Sequence, residues 1–278
     1  MNGLCRNGFK LFLYSLFYLS GNFMTERKQV IYMESLSSKK LLHLALCSLD
    51  IIWEDKDRNR ENCEKAIQAA AGRGVDLILF PEMTLTGFSM DVGKIADRQK
   101  ETIRFFQDMA EKYGIAAGFG YVTEKENKRG ENHFCIVAKD RTIRSDYVKI
   151  HPFTYGGEDR YYDGGDALGV CQMEGFVCGT FICYDLRFPE LFQCLPDPVD
   201  AVFVIANWPG KRVSQWKCLL QARAIELQCY AVGVNRTGEG GGLCYEESST
   251  VYAPDGTEVT GECDRWNHYV TLDRVRME

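Results

Sequence analysis

Histidine is scarce in this chain of 278 residues: there are four, His43, His133, His151 and His268. None of the twelve cysteines forms a CxxC pair, so no Cys/His spacing is available from which a zinc site could be assembled. The nearest approach, Cys178 and Cys183, reads as two positions along one strand. A basic surface is missing as well. The net charge is −6, and no stripe of Lys and Arg interleaved with aromatics is present to follow a phosphate backbone, which removes nucleic acid from the expected partners. No low-complexity linker divides the chain, and the apolar run Leu11–Leu19 is too short to span a bilayer, so no membrane partner is expected either.

What is present is an ordinary globular composition, 45 % apolar and 26 % charged, ample for one large α/β domain. The cysteines are scattered through a chain too large to need staples, and they read as reduced, mostly buried thiols in a cytoplasmic protein. Arg6 and Lys10 before "LFLYSLFYL" have the outline of a secretory leader, but no small-x-small cleavage site follows. A start assigned too early, with Met24 or Met33 the true one, is the preferred reading, because free reduced thiols fare badly in an oxidising compartment. Residues 1–40 are therefore expected to carry no fold, and residues 41–278 to form one domain.

From Leu41 onward the chain reads as two similar halves. "LLHLALCSLD" is a buried strand, Asn59–Gly74 has helical spacing at Cys63, Ile67 and Ala70, and "VDLILFPE" is a second strand ended by Pro81. Arg98–Tyr113 reads as a helix, "GIAAGFGYV" as a strand, and "HFCIVAKD" with "TIRSDYVK" as a strand pair. The second half repeats the order: "FVCGTFICYD", a short helix after Pro189, "VDAVFVIANW", a helix over "VSQWKCLLQARAIELQCY", then "YAVGVNRTG" and "SSTVYAPDGTEV". Strands apolar on both faces and alternating with helices require a sheet covered by helices, and two such halves suggest two stacked sheets in four layers.

Three strand ends carry groups that a turn does not need: Glu82 after "LILFP", Lys149 after "RSDYV" and Cys183 after "GTFI". Ligand and catalytic groups in open α/β sheets gather at such ends. Singly, each has a dull explanation, as a buried small hydrophobe, a cap or a solvated charge. Together they are what cleavage of a carbon–nitrogen bond needs: a thiol nucleophile, a carboxylate base and a cation for the oxyanion. A Cys/His dyad is the rival, and its one well-placed member, His151, reads as structural.

"LILFPEMTLTGFSMD", "YVKIHPF", "GTFICYDLRFPELF", "ANWPGKR" and "QARAIELQCYAVGVNRTG" resemble, in order, the motifs of the nitrilase (carbon–nitrogen hydrolase) superfamily, and most closely its ω-amidase branch. The likeness runs from about Leu41 to Thr271. It implies an α-β-β-α sandwich, a Glu–Lys–Cys triad at Glu82, Lys149 and Cys183, a further glutamate at Glu158, and assembly into a homodimer or higher homo-oligomer. It implies no metal and no cofactor. In that family the last strand is followed by a tail that packs on the partner protomer. Here the sequence ends at "LDRVRME", which leaves two readings open: a tail that is dispensable, or a truncated product whose dimer, and activity with it, is impaired.

Within this reading the Tyr184 amide joins Lys149 at the oxyanion, and Asp185 ties down the turn. Arg187 is open between a salt bridge to Glu190 or another acid and a fork on a substrate carboxylate. Phe88, Tyr155 and Trp208 are candidate walls of a small pocket, Phe188 reads as core, and Arg212 is either a second clamp or an exposed charge at a helix start. The expected reaction releases ammonia from a small dicarboxylic monoamide such as 2-oxoglutaramate or 2-oxosuccinamate, with water the second substrate. An N-carbamoyl amino acid or a nitrile suits the same triad. A catalytically silent binding or redox-sensing module acting through Cys183 is the alternative of another class.

Overall fold

The structure, a computed structural model, describes residues 41–274. The leader, the alternative starts at Met24 and Met33, and the sequence after Arg274 lie outside the described residues. The first sheet is opened by β1 (Leu41–Leu46), β2 (Leu77–Leu79), β3 (Ala116–Glu124), β4 (Gly130–Val137), β5 (Ile143–Val148) and the short β6 (Tyr162–Asp163). The second holds β7 (Gly169–Met173), β8 (Phe176–Ile182), β9 (Ala201–Ala206), β10 (Tyr230–Asn235) and, after a separate hairpin of β11 (Gly238–Gly240) and β12 (Leu243–Tyr245), β13 (Thr250–Tyr252). The chain then returns to the first sheet with β14 (Glu262–Cys263) and β15 (His268–Asp273).

The two sheets share a plan. Strands β1, β2 and β3 run parallel and β4 and β5 follow antiparallel, while β8, β9 and β10 run parallel and are flanked by antiparallel β7 and β13. The expectation of two like halves holds for these strands. It does not extend to β15, which pairs antiparallel with β1, or to β6, which pairs parallel with β4.

The layering follows from the two-residue period of a strand. Leu42, Leu44 and Leu46 of β1, Leu77 and Leu79 of β2, and Phe134 and Ile136 of β4 join the core shared with the second sheet. Their alternates Ala45, Ile78, Cys135 and Val137 face the other way, under helices α1 (Lys56–Ala71), which is followed by a single-turn α2 (Val92–Ile95), and α3 (Glu101–Tyr113). Phe106 of α3 stacks on Phe119 of β3 with ring centroids 3.9 Å apart. The second sheet is covered by α4 (Pro189–Gln193) and α5 (Val213–Leu227), whose Trp216, Leu220 and Ala224 are buried. Gly233 of β10 makes that approach possible: a Cβ there would lie 2.3 Å from Leu220 Cδ1. The result is the four-layer α-β-β-α sandwich that the resemblance implies. No helix among the described residues is long and apolar enough to cross a membrane.

Two boundaries differ from the sequence reading for local reasons. Helix α1 starts at Lys56 because the Asp55 side chain caps it, accepting from Arg58 N at 3.1 Å. Helix α3 starts at Glu101, three residues past Arg98, because Gln99 and Lys100 take left-handed φ of 55° and 59°.

Candidate active site

Four strands end at one place. Glu82 follows β2, Lys149 follows β5, Cys183 follows β8 and Asn207 follows β9, so each sheet contributes from its carboxyl ends. The loop after β2 is held from both sides. Thr84 N donates to Gly120 O at 3.0 Å, Gly120 N donates to Thr84 Oγ1 at 2.9 Å, and Asn59 of α1 donates to Leu85 O at 2.8 Å. Met83, next to Glu82, has a left-handed φ of 47°.

Glu82, Lys149 and Glu158 are all buried and touch one another through the lysine. Lys149 Nζ donates to Glu82 Oε1 at 2.9 Å and to Glu158 Oε2 at 2.8 Å. Burial alone would lower the lysine, but the charges of Glu158 and Glu82 outweigh it and hold the ammonium well above its ordinary value. Burial pushes the Glu158 carboxyl upward, against the pull of Lys149. Glu158 sits in a single 3₁₀ turn (Glu158–Arg160) and also accepts from Phe153 N.

Two asparagines complete the cluster. Asn132 of β4 donates through Nδ2 to Glu82 Oε1 at 2.8 Å and to Glu158 Oε1 at 3.1 Å, while its carbonyl accepts from Lys149 N at 2.8 Å. Asn207 donates from its backbone to Glu82 Oε2 at 2.9 Å and from Nδ2 to Glu82 O at 2.7 Å. Sequence reasoning passed over both, since for the acid, base and nucleophile it weighed only residues that ionise. The available signal was position: Asn207 closes a buried strand as Cys183 does, whereas Asn132, between Glu131 and His133 at the polar start of its strand, offered none.

Cys183 opens a five-residue 3₁₀ turn (Cys183–Arg187) with a left-handed φ of 47°, uncommon for a residue with a Cβ. Buried Asp185 holds that turn. It accepts from Tyr147 OH at 2.8 Å, from His151 N at 2.9 Å and from Ile182 N at 3.1 Å. Arg223 of α5 donates to Leu186 O at 3.2 Å from the other side. Burial, then the charge of Glu82, pushes the Cys183 thiol well above its ordinary value, with Lys149 opposing, so the resting sulfur is protonated. His151 is engaged elsewhere: its ring stacks on Phe188 at 3.6 Å and its Nδ1 lies 3.2 Å from Asp185 Oδ1. Phe188, read as core, is only partly buried.

Cys183 lies in an open cleft together with Phe88, Tyr184, Arg187, Asn207, Trp208 and Arg212, and with Phe153, Pro209, Leu243 and Tyr245, which were not singled out in the sequence. Arg187 does not pair with Glu190. Its Nη2 donates to Gln215 Oε1 at 2.6 Å and its guanidinium lies over the Trp208 ring at 5.0 Å. Arg212, set over the Phe153 ring at 5.2 Å, lines the same cleft. Among the described residues neither arginine has a carboxylate partner. Tyr155 is the exception among the expected walls: it is 88 % exposed, outside the cleft, with its ring 6.0 Å from that of Phe153.

A thiol beside a buried lysine and two carboxylates, carried on the strand ends of a four-layer sandwich, defines a hydrolase of carbon–nitrogen bonds. The carbon–nitrogen hydrolase family model matches residues 43–278, and the chain belongs to that family. Over 224 residues, 80 % of this chain and 85 % of the relative, it is 32 % identical to omega-amidase YafV of Escherichia coli K12. Over 209 residues, 70 % of this chain and 71 % of the relative, it is 35 % identical to a 2-oxoglutaramate amidase of Paenarthrobacter nicotinovorans. The crystal structure of XC1258 from Xanthomonas campestris, a CN-hydrolase superfamily protein with an arsenic adduct in its active site, superposes with a TM-score of 0.76 at 28 % identity, covering 85 % of this chain and 91 % of that one.

Proposed function

We propose that this chain is an ω-amidase, releasing ammonia from the amide end of a small dicarboxylic monoamide. The observation that carries the reading is the buried Glu82–Lys149–Glu158 cluster beside the cleft that holds Cys183, in a chain similar to enzymes named omega-amidase and 2-oxoglutaramate amidase.

In this mechanism Cys183 Sγ attacks the amide carbonyl carbon as Glu82 takes the thiol proton. Because the resting thiol is protonated, the proton moves with the attack rather than before it. The carbonyl oxygen gains negative charge and is met by the Lys149 ammonium and the Tyr184 backbone N–H. Glu82 then passes its proton to the departing nitrogen, ammonia leaves, and an acyl thioester remains on Cys183. Water, deprotonated by Glu82, attacks the thioester. The acid leaves, and the proton returns to the sulfur. Glu158, fixed against Lys149, holds the ammonium in place. Arg187 and Arg212, both without an acid partner, supply the charge that meets the carboxylate at the far end of the substrate, between walls formed by Phe88 and Trp208.

The abundance of free thiols, eleven among the described residues, suits a reducing cytoplasm. Residues 41–278 are proposed as a single hydrolase domain working as a homodimer, which sedimentation equilibrium of the full chain tests.

The direct experiment measures ammonia from 2-oxoglutaramate, 2-oxosuccinamate, succinamate, glutamine, an N-carbamoyl amino acid and a nitrile, with wild type beside Cys183→Ala and Glu82→Gln. Turnover confined to the dicarboxylic monoamides and lost in both variants supports the proposal. Activity on the carbamoyl compound or nitrile instead keeps the triad and discards the substrate. Full activity in Glu82→Gln removes the mechanism.

A further inference from the structure

Tyr245 stands in the cleft with nothing to hold its hydroxyl. The residue ends the β12 arm of the separate hairpin, is 6 % exposed, and lines the cleft that holds Cys183. A buried tyrosine ordinarily finds a partner for its O–H. Here no described residue hydrogen-bonds to it. Among the described residues the side-chain polar atoms that are both unpartnered and sealed from solvent are Arg60 Nε, Asn132 Oδ1, Asn207 Oδ1, Arg223 Nε, Arg236 Nη1 and Asn267 Oδ1, and the Tyr245 hydroxyl is not among them. It is therefore open to the cleft and unspent.

The ring behind that hydroxyl is fixed. The guanidinium of Arg236 lies over it at 4.5 Å, and Arg236 is itself fully buried. Arg236 Nη2 donates to Ile51 O at 2.8 Å and to Glu239 O at 2.9 Å, so it fastens the hairpin to the loop after β1. A cation on the face of a phenol draws electron density from the ring and strengthens the O–H as a donor.

We propose that Tyr245 is a specificity residue: its hydroxyl donates a hydrogen bond to the 2-oxo oxygen of the substrate, and so selects 2-oxo monoamides over their 2-deoxo counterparts. This rests on the ω-amidase reading. Two guanidiniums without a carboxylate partner among the described residues, Arg187 and Arg212, already line the cleft and serve the carboxylate. The neutral donor is left for a neutral acceptor. The same cations disfavour an ammonium at that carbon, so the 2-amino acid glutamine is excluded by charge as well as by the lost acceptor. Burial raises the phenol to about 12, against the pull of Arg236, so it keeps its proton throughout the working range.

The test compares kcat/KM for 2-oxoglutaramate and for glutaramate, which lacks the oxo group, in wild type and in Tyr245→Phe. The variant keeps the ring and its stack on Arg236. Wild type is expected to favour the 2-oxo substrate, and the variant to lose about tenfold of that preference, the size of one hydrogen bond, with glutaramate turnover little changed. An unchanged ratio, whether both rates fall together or neither falls, overturns the assignment and leaves the ω-amidase reading standing. Wild type inactive on both compounds overturns the two together.

Discussion

At the scale of single residues the unusual feature is a proposed nucleophile, Cys183, kept protonated at rest. Two carboxylates and one ammonium leave the buried cluster short of positive charge, and a thiolate would add a further negative one. Alkylation reports this directly. The rate of Cys183 modification by iodoacetamide is expected to rise tenfold per pH unit from neutrality, with no plateau below the ordinary thiol value of 9.0. A plateau near pH 7 shows a preformed thiolate and refutes the picture. Asp185 gives a second prediction. Its replacement by Ala strands the N–H groups of His151 and Ile182 and the Tyr147 hydroxyl, at a cost of roughly 3 kcal/mol or more, seen as a lowered urea midpoint. Asp185→Asn keeps one acceptor and loses less. Glu82, Lys149 and Cys183 were legible in the sequence because ionisable groups at the ends of apolar strands stand out. Asn132, Asn207 and Tyr245 were not, because an amide or phenol gains its importance only from what faces it. Gln215, the partner of Arg187, is 28 positions away and is brought there by the packing of α5.

At the scale of elements the site depends on how closely β3 approaches the loop after β2. A Cβ on Gly120 would lie 2.3 Å from Met83 N and 2.9 Å from Glu82 Cα, both backbone atoms that have nowhere to go. Gly120→Ala is therefore expected to cost about 1–3 kcal/mol of stability. It is also expected to lower kcat at temperatures where the variant remains folded, because the displaced group is Glu82 itself. A melt and an activity assay on the same sample check both parts. A variant that loses stability and keeps kcat shows that the loop tolerates the shift. Element order was readable from hydrophobic period and from Gly and Pro, and the boundaries slipped where a cap or a left-handed residue decided them, at Asp55 and at Gln99–Lys100. The hairpin of β11 and β12 went unseen, since "GEGGG" offers no apolar alternation to find.

At the scale of the whole molecule the many buried thiols set an alkaline limit. Burial raises Cys171 and Cys229 to about 12, and raises Cys47, Cys63, Cys135 and Cys178 too. Below the ordinary value these thiols are neutral in both states. Above it the unfolded chain ionises while the folded chain does not, so stability present at neutral pH is lost as pH rises. Cys171 and Cys229 alone remove about 4 kcal/mol by pH 10.5, at about 1.4 kcal/mol per thiol per pH unit. Urea midpoints at pH 7.5, 9 and 10.5 are expected to fall with increasing slope, and a flat series refutes the account. The two stacked sheets were foreseeable from the echo between the halves. The return of β15 to the edge of β1 was not, because a strand's own pattern does not say which sheet has a free edge.

Glu82, Lys149 and Glu158 all precede Cys183 and Asn207 in the chain, and the two groups come from different sheets. A polypeptide emerging from the ribosome thus carries the proposed acid–base set first and the proposed nucleophile afterwards, and domains fold as units as they emerge. Glu82 has its Asn207 partners only once β9 has been added beside β8. A fragment ending before that point is expected to lack the assembled cluster, and the cleft is complete only once the later hairpin has added Leu243 and Tyr245.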